Sequence, residues 1–163
     1  MKELAFFVPG VPIPKARPRM TRAGHTYTPA KTKGYEALVR RECLLAMKGQ
    51  APMQQPLLLS AIFYLKLPES WPLWKKAAAL SGHLVPDGKP DLDNMLKAVC
   101  DAMNGIAYDD DSQVVCLDNI YKVYSDKVGV KIFLYGLDYC SREITKAQYE
   151  AWLNKEGKNV TQD

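Results

Sequence analysis

The segment from Pro90 to Ile106 constrains the fold most, because its residues repeat with the period of an α-helix. At about 100° per residue, apolar side chains fall on one side of a helical wheel and polar side chains on the other. The apolar side comprises Leu92, Met95, Leu96, Val99, Met103 and Ile106. The polar side comprises Asp93, Asn94, Lys97, Asp101 and Asn104. The pattern predicts a helix that buries one face and presents carboxylates, amides and a lysine on the other.

Acidic residues concentrate around this helix. Residues 87 to 111 contain seven acidic side chains, all of them aspartates, against Lys89 and Lys97. Aspartate is short and holds its charge near the backbone, which suits a rigid site for a hard divalent cation. Asp91 and Asp93 also fit simple capping, because a helix start favours carboxylates. The run 109–111 equally fits a solvated acidic turn.

Together these carboxylates favour a magnesium site, because several of them this close repel one another without a cation. We expect one or two residues of the run 109–111 to return against the helix start. Lys97 lies four residues after Asp93, on the same helix face. It either forms an ordinary surface ion pair or offsets negative charge on a scissile phosphate or attacking water. Phosphodiester hydrolysis by a metal-bound water is the chemistry that these residues predict.

The first third of the chain is basic. Residues 1–50 hold ten Lys and Arg against three Glu, a net charge of +7, and the remaining residues sum to −3. Prolines keep the stretch from 12 to about 29 extended, and Lys15, Arg17, Arg19 and Arg22 are spaced along it. This asymmetry indicates a polyanion partner and a separate cation site. We expect these four residues and Lys89 to contact that polyanion; a solvated loop is the alternative.

The remaining pattern predicts one domain over residues 1–140, followed by a short helix and polar tail over 141–163. Thr145 and Gln148 resemble a capping box that opens this last helix, which would end near Asn154. Earlier in the chain, we predict strands at Leu4–Val8 and Leu57–Leu67, helices at Lys31–Lys48 and Ser70–Leu80, and strands at Val114–Tyr124 and Val128–Tyr135. The last two strands, three residues apart, are expected to form an antiparallel hairpin.

Several classes of protein are disfavoured. The longest apolar stretch, Leu57 to Leu65, is far shorter than the roughly 20 residues that cross a bilayer, so we expect a cytoplasmic protein without a membrane segment. The cysteines at 43, 100, 116 and 140 form no C-x-x-C pair, which argues against structural zinc and favours buried small hydrophobes. The sequence has no phosphate-binding glycine loop or dinucleotide fingerprint, so no nucleotide cofactor is expected.

Residues 89 to 114 closely resemble the signature of RusA-family crossover junction endodeoxyribonucleases, which prophages often carry. The shared pattern is Asp-x-Asp-Asn, a lysine four residues after the second aspartate, Asp-Ala, and then Asp-Asp-Ser/Ala-Gln-Val. The opening Pro-Gly-x-Pro-x-Pro-Lys-x-Arg-Pro-Arg and the later Tyr-Thr-Pro also resemble this family. The resemblance covers roughly residues 4 to 136.

This resemblance implies that Asp91, Asp93 and Asp111 are catalytic metal ligands and that Lys97 is an essential lysine. Three consecutive aspartates stand where two satisfy the pattern, so Asp110 could share or replace the role of Asp111. The implied cofactor is Mg²⁺, with Mn²⁺ as a substitute.

The resemblance also implies a fold and a function. The expected fold is α+β, with a mixed sheet of about four strands per subunit packed by helices, in a homodimer. The expected function is resolution of Holliday junctions, a branched DNA, in recombination and repair. The polyanion that Lys15, Arg17, Arg19, Arg22 and Lys89 are expected to contact is then the phosphate backbone of that DNA. Two-fold symmetry suits this task, because a four-way junction needs paired cuts on opposing strands. Asp101 matches a recurrent family position, and we expect it to be structural.

Two other functions are consistent with parts of the sequence. A nucleotide-sugar transferase would use Asp91 and Asp93 to hold a metal diphosphate, but the chain lacks an adequate nucleotide-binding βαβ region. A non-catalytic module for branched DNA would use the acidic loop to bind a structural cation. Trp71 and Trp74 could stack on an unpaired base, although a core or interface role is favoured.

Overall fold

A computed structural model of the chain describes residues 2–17, 19–20, 26–27 and 29–137, together with positions 147, 150, 151 and 154. The helices are α1 (Ala30–Met47), α2 (Leu73–Leu80) and α3 (Leu92–Met103). The strands are β1 (Glu3–Pro9), β2 (Arg19–Met20), β3 (Thr26–Tyr27), β4 (Leu57–Lys66), β5 (Val114–Ser125) and β6 (Gly129–Gly136). In this part of the chain, no helix has the length and apolar character needed to cross a membrane.

The four long strands form one mixed sheet in the order β1-β6-β4-β5. Strand β6 runs antiparallel to both of its neighbours, β1 and β4, whereas β4 and β5 are parallel. The expected α+β domain with a four-stranded mixed sheet is therefore confirmed. Each of the four predicted strands and three predicted helices in this part of the chain exists, with ends that differ by up to three residues.

The predicted hairpin between the last two strands is wrong, because β4 lies between β5 and β6. Strand β4 is apolar along nearly its whole length, and Leu57, Leu59, Ala61 and Phe63 are fully buried. Such a strand needs hydrogen-bonding partners on both edges. Residues 126–128 therefore pass over the end of β4 and span two strand spacings, about 10 Å. This span lies within the reach of a short extended segment.

Helices α1 and α3 pack against each other, and their buried side chains meet one face of the sheet. On α3, Met95, Val99 and Met103 are fully buried, while Asp93 and Lys97 on the opposite side are exposed. The amphipathic pattern is thus confirmed, although the helix ends at Met103 and not at Ile106. The rigid core holds the polar side of α3 towards solvent.

The stretch between residues 12 and 29 is not the plain loop that was expected, and one cysteine is not buried as expected. Between residues 12 and 29, the backbone forms a short antiparallel ribbon in which β2 pairs with β3. Cys43 is buried, but Cys116 on β5 is exposed, so the expectation of a buried thiol is wrong for Cys116. Of the predicted C-terminal helix, the four described positions are helical; Thr145, Gln148 and the polar tail lie outside the described residues.

Candidate active site

Asp91 and Asp93 stand at the start of α3. Asp91 occupies the N-cap position, yet its side chain makes no capping hydrogen bond with the helix backbone. Its Oδ2 accepts instead a long hydrogen bond of 3.4 Å from Nδ2 of Asn94. Asp93 lies in the first turn, and both carboxylates are exposed. Hydrogen-bonded capping therefore does not explain Asp91.

A lysine from β5 holds the loop that leads into this helix. Lys122 Nζ donates to the backbone oxygen of Gly88 and, at 3.0 Å, to that of Pro90. These two carbonyl groups flank Lys89 and directly precede Asp91. Lys122 therefore holds the loop that precedes Asp91. The sequence pattern gave no indication of this role, because Lys122 lies more than 30 positions from that loop.

The acidic turn at 109–111 is held by Gln113. Its Oε1 accepts hydrogen bonds from the backbone N–H groups of Asp109 at 2.9 Å and Asp110 at 3.1 Å. Its Nε2 donates to the backbone oxygens of Met53 at 2.8 Å and Gln55 at 3.3 Å. One amide side chain thus joins the turn to the segment that precedes β4, which gives the glutamine in the Ser-Gln-Val motif a physical role.

Neighbouring aspartates in this turn have different roles. Asp110 is the N-cap of a 3₁₀ turn at Asp111–Gln113, and its Oδ1 accepts a 2.9 Å hydrogen bond from the N–H of Ser112. Asp111 is exposed and makes no such bond. Its charge helps to raise the pKa of the Cys100 thiol to about 11, an effect due mainly to burial. Asp111 therefore lies close enough to Cys100, in the third turn of α3, for its charge to act on that thiol.

Lys97 pairs with Asp101 and not with Asp93. Its Nζ is 3.4 Å from Oδ1 of Asp101, and 61% of its side chain is exposed. Asp101 also binds Lys15, whose Nζ is 2.9 Å from Oδ2. The carboxylate of Asp101 is therefore compensated by two ammonium groups, which agrees with the structural role expected for it.

The predicted DNA-contacting residues are described to different extents. Lys15 is half-buried, while Arg17 and Lys89 are exposed. For Arg19 only the backbone position in β2 is described, and Arg22 lies outside the described residues.

The two tryptophans differ in exposure. Trp71 packs edge-on against Tyr124, with ring centroids 5.1 Å apart. Trp74 is 71% exposed at the start of α2. A packing role is thus supported for Trp71, whereas Trp74 is open to solvent.

The donor chemistry at Asp91, Asp93 and Asp111 fits a hard divalent cation. All three offer exposed carboxylate oxygens, and no ion pair neutralises any of them within the described part of the chain. Among the described residues, however, no three His, Cys, Asp or Glu side chains already form a metal-binding group. Magnesium binds through one or two carboxylates and completes its shell with water and phosphate, so a carboxylate pair is a sufficient starting point.

Comparison with known proteins first gives the class of enzyme. A family model described as "Endodeoxyribonuclease RusA" matches residues 9–135, so the class is that of endodeoxyribonucleases, which hydrolyse DNA internally. The chain belongs to the RusA family, whose activity is directed at Holliday junctions. It is also similar to "Uncharacterized protein YqaN" of Bacillus subtilis (strain 168), with 36% identity over 138 residues, covering 80% of this chain and 94% of that protein. Family membership rules out the nucleotide-sugar transferase.

Proposed function

We propose that this chain resolves four-way DNA junctions by Mg²⁺-dependent phosphodiester hydrolysis, as a cytoplasmic homodimer that serves recombination and repair. Mn²⁺ is expected to substitute for Mg²⁺. The proposal depends most on one contrast among the aspartates. Asp91, Asp93 and Asp111 carry exposed charges without an ion pair among the described residues, whereas Asp101 is paired with lysines and Asp110 caps a turn. These three are the carboxylates that the family signature marks as ligands; Asp87 and Asp109 are also exposed without an ion pair among the described residues, but the signature does not include them.

In this proposal Asp91, Asp93 and Asp111 would hold the cation. Bound Mg²⁺ supplies Lewis acidity to the phosphoryl oxygen and lowers the pKa of an attacking water. Lys97 extends from the same helix face, and its exposed ammonium group offsets negative charge that develops on the scissile phosphate. Lys122 holds the loop that precedes Asp91, and Gln113 holds the acidic turn at 109–111.

The basic arm, residues 12–29, supplies contacts with the DNA backbone. Arg17, Arg19, Arg22 and Lys89 are proposed to bind phosphates around the branch, which sets affinity and salt dependence without selecting a base sequence. The arm and the carboxylates meet at α3, because the backbone N–H of Lys15 donates to the backbone oxygen of Asn94 at 2.8 Å. Bound DNA would therefore extend across the arm towards the cleavage site.

The proposal is tested with a labelled synthetic four-way junction and a matched linear duplex, each incubated with Mg²⁺ or with a chelator. Paired nicks in the junction alone, only with Mg²⁺, are the expected result. Asp91→Asn and Asp93→Asn should each abolish cleavage and leave junction binding intact, because loss of negative charge does not weaken phosphate contacts. Asp118→Asn is the matched control, since this aspartate is exposed on β5 and lies outside the acidic segments.

Junction binding without cleavage by folded protein would contradict the proposal and favour the non-catalytic module with a structural cation. In that case the aspartate variants would lower thermal stability and leave every other property unchanged. Equal cutting of the linear duplex would contradict the selectivity for branched DNA while leaving the hydrolytic chemistry in place.

A further inference from the structure

Lys15, the first cation of the basic arm, is joined to both large helices. Its backbone N–H donates to the backbone oxygen of Asn94 on α3 at 2.8 Å. Its Nζ lies 2.5 Å from Oε1 of Glu36 on α1 and 2.9 Å from Oδ2 of Asp101 on α3. Three contacts thus fasten this one residue to the framework beneath the arm.

The charge of Lys15 is largely compensated. The side chains of Lys15, Glu36 and Asp101 are only 25%, 23% and 24% exposed. Although burial lowers it, the pKa of Lys15 is raised overall by its hydrogen bonds and charge interactions with the two carboxylates. Because two carboxylates surround this one ammonium group, little net positive potential is left to attract a phosphate. If Lys15 turned towards DNA, Glu36 and Asp101 would lose it as a partner.

Arg17, two residues further along, shows the opposite arrangement. It is exposed, and its side chain makes no hydrogen bond or ion pair with another residue in the described part of the chain. The pattern therefore separates two roles within one basic motif. One cation is used inside the protein, and the next is available to a ligand.

We propose that Lys15, Glu36 and Asp101 form a latch that anchors the basic arm to the catalytic helix, so that Lys15 is a positioning residue and not a phosphate contact. This inference rests on the proposed function, because it assumes that the arm binds DNA. Anchoring before binding reduces the conformational entropy that the arm loses in the complex. Asp101 also contacts Lys97, so the latch joins the DNA-binding arm to the lysine of the cleavage site.

The salt dependence of junction binding distinguishes an anchor from a contact. Binding of the full chain is measured with chelator present, to prevent cleavage, over a range of NaCl concentrations. Lys15→Met should weaken binding about two- to fivefold, the effect of losing partly exposed ion pairs, with the slope of log Kobs against log[NaCl] unchanged. Arg17→Met should instead reduce the magnitude of that slope by about 0.9, the value for one phosphate contact.

Two further variants complete the binding experiment. Lys15→Arg retains the charge and should restore most of the affinity. Lys131→Met is the matched control for loss of a lysine, because Lys131 lies on the sheet face opposite α3, and it should change neither affinity nor slope. A slope reduced by about 0.9 in Lys15→Met, or no loss of affinity at all, would overturn the proposal.

A second measurement needs no DNA. Hydrogen exchange at the backbone N–H of residue 15 reports directly on its bond to Asn94. In the double variant Glu36→Gln/Asp101→Asn, protection of this N–H should fall at least tenfold relative to the parent protein, and unchanged protection would overturn the latch. If the parent protein fails to bind junctions, the proposed function fails, whereas the exchange experiment still tests the latch.

Discussion

At the scale of single residues, the structure separates aspartates that the sequence presents as equivalent. Asp110 and Asp111 are adjacent, exposed and identical in chemistry, yet only Asp110 is used as a cap. The same separation holds on α3, where Asp101 is paired with two lysines and Asp93 has no ion pair within the described residues. Adjacent carboxylates therefore should respond differently to the same substitution.

The first prediction concerns this turn. Asp111→Asn should reduce the single-turnover rate of junction cleavage more than about 100-fold, because even the loss of a group that only hydrogen-bonds to a metal ligand can cost that much. Asp110→Asn should retain most of the activity, because asparagine still accepts the capping hydrogen bond. A gel-based cleavage assay with saturating protein measures both rates. A larger loss of activity in Asp110→Asn than in Asp111→Asn would instead identify Asp110 as the metal ligand.

Sequence reasoning found the acidic side chains but not the groups that hold them. Spacing on a helical wheel is a local property, so it identified Asp93 and Lys97 as neighbours. Gln113 and Lys122 act through backbone oxygens that are distant in sequence, at Met53 and Gly88. Every residue has a backbone carbonyl, so the residue type at the accepting position does not reveal such a hydrogen bond. Apart from the motif glutamine itself, the sequence contained no signal for these two roles.

The second prediction is a loss of stability at alkaline pH. Burial raises the pKa of Cys43 from 9.0 to about 12 and that of Cys100 from 9.0 to about 11. Between about pH 9 and 11 the unfolded chain loses these protons and the folded chain retains them, so rising pH favours unfolding. Each thiol should lower the free energy of unfolding by about 1.4 kcal/mol per pH unit in this window.

Urea unfolding under reducing conditions at several pH values between 8 and 10.5 measures this decline. Cys100→Ala should make it shallower relative to the parent protein. Cys116→Ser is the control, because this thiol is exposed, and its pH dependence should match the parent. An identical decline in the Cys100 and Cys116 variants would show that Cys100 does not titrate as expected.

At the scale of elements, patterns internal to one segment were reliable and pairings between segments were not. Helix α3 follows from its own period of apolar residues, and β1 and β4 from their apolar runs. The hairpin was predicted because a three-residue connection normally joins adjacent strands. It is wrong because β4 lies between β5 and β6 and pairs with both. Which strand fills that position depends on residues more than 50 positions earlier in the chain, and no local rule includes them.

The third prediction concerns the support that β5 gives to α3. Lys122→Met removes the hydrogen bonds to the loop before Asp91, so this loop should become less ordered. The Mg²⁺ concentration for half-maximal cleavage should rise about tenfold, the effect typical of losing a group that orients metal ligands without binding the metal. The Mg²⁺-dependent rise in melting temperature should shift to higher concentration by a similar factor, which gives a measurement without DNA.

Lys127→Met is the matched control for this experiment, because Lys127 lies beyond the end of β5, over the ring of Phe7. It should leave the Mg²⁺ dependence unchanged. If Lys122→Met also leaves it unchanged while the melting temperature in the absence of Mg²⁺ falls, Lys122 supports the fold alone.

At the scale of the whole molecule, the charge is divided between a basic first third and an acidic remainder. The two parts meet where the arm, which leaves β1, reaches α3 at Lys15. The fourth prediction is that Arg17→Met combined with Arg19→Met reduces the salt slope of junction binding by about two phosphate contacts. A fluorescence titration at several NaCl concentrations measures it, and an unchanged slope would remove the arm from the interface.

The fifth prediction is the assembly state. Paired cuts across a symmetric junction need two sites related by a two-fold axis, so the chain should have a solution mass twice its own 18.3 kDa. Light scattering coupled to size-exclusion chromatography measures this mass. A monomer that nevertheless cuts both opposing strands in one binding event would contradict the symmetric arrangement.

The pairing of β1 with β6 determines when the protein can first act. Glu3 is matched with Tyr135, so the strand of the sheet that is synthesised first pairs with the strand of the sheet that is synthesised last. Residues 91–111 are synthesised well before that, but until β6 emerges their scaffold has open edges on β1 and β4. A nascent chain therefore carries the residues for cutting DNA without the framework that positions them. A premature stop before residue 129 should therefore give a fragment that does not cut DNA.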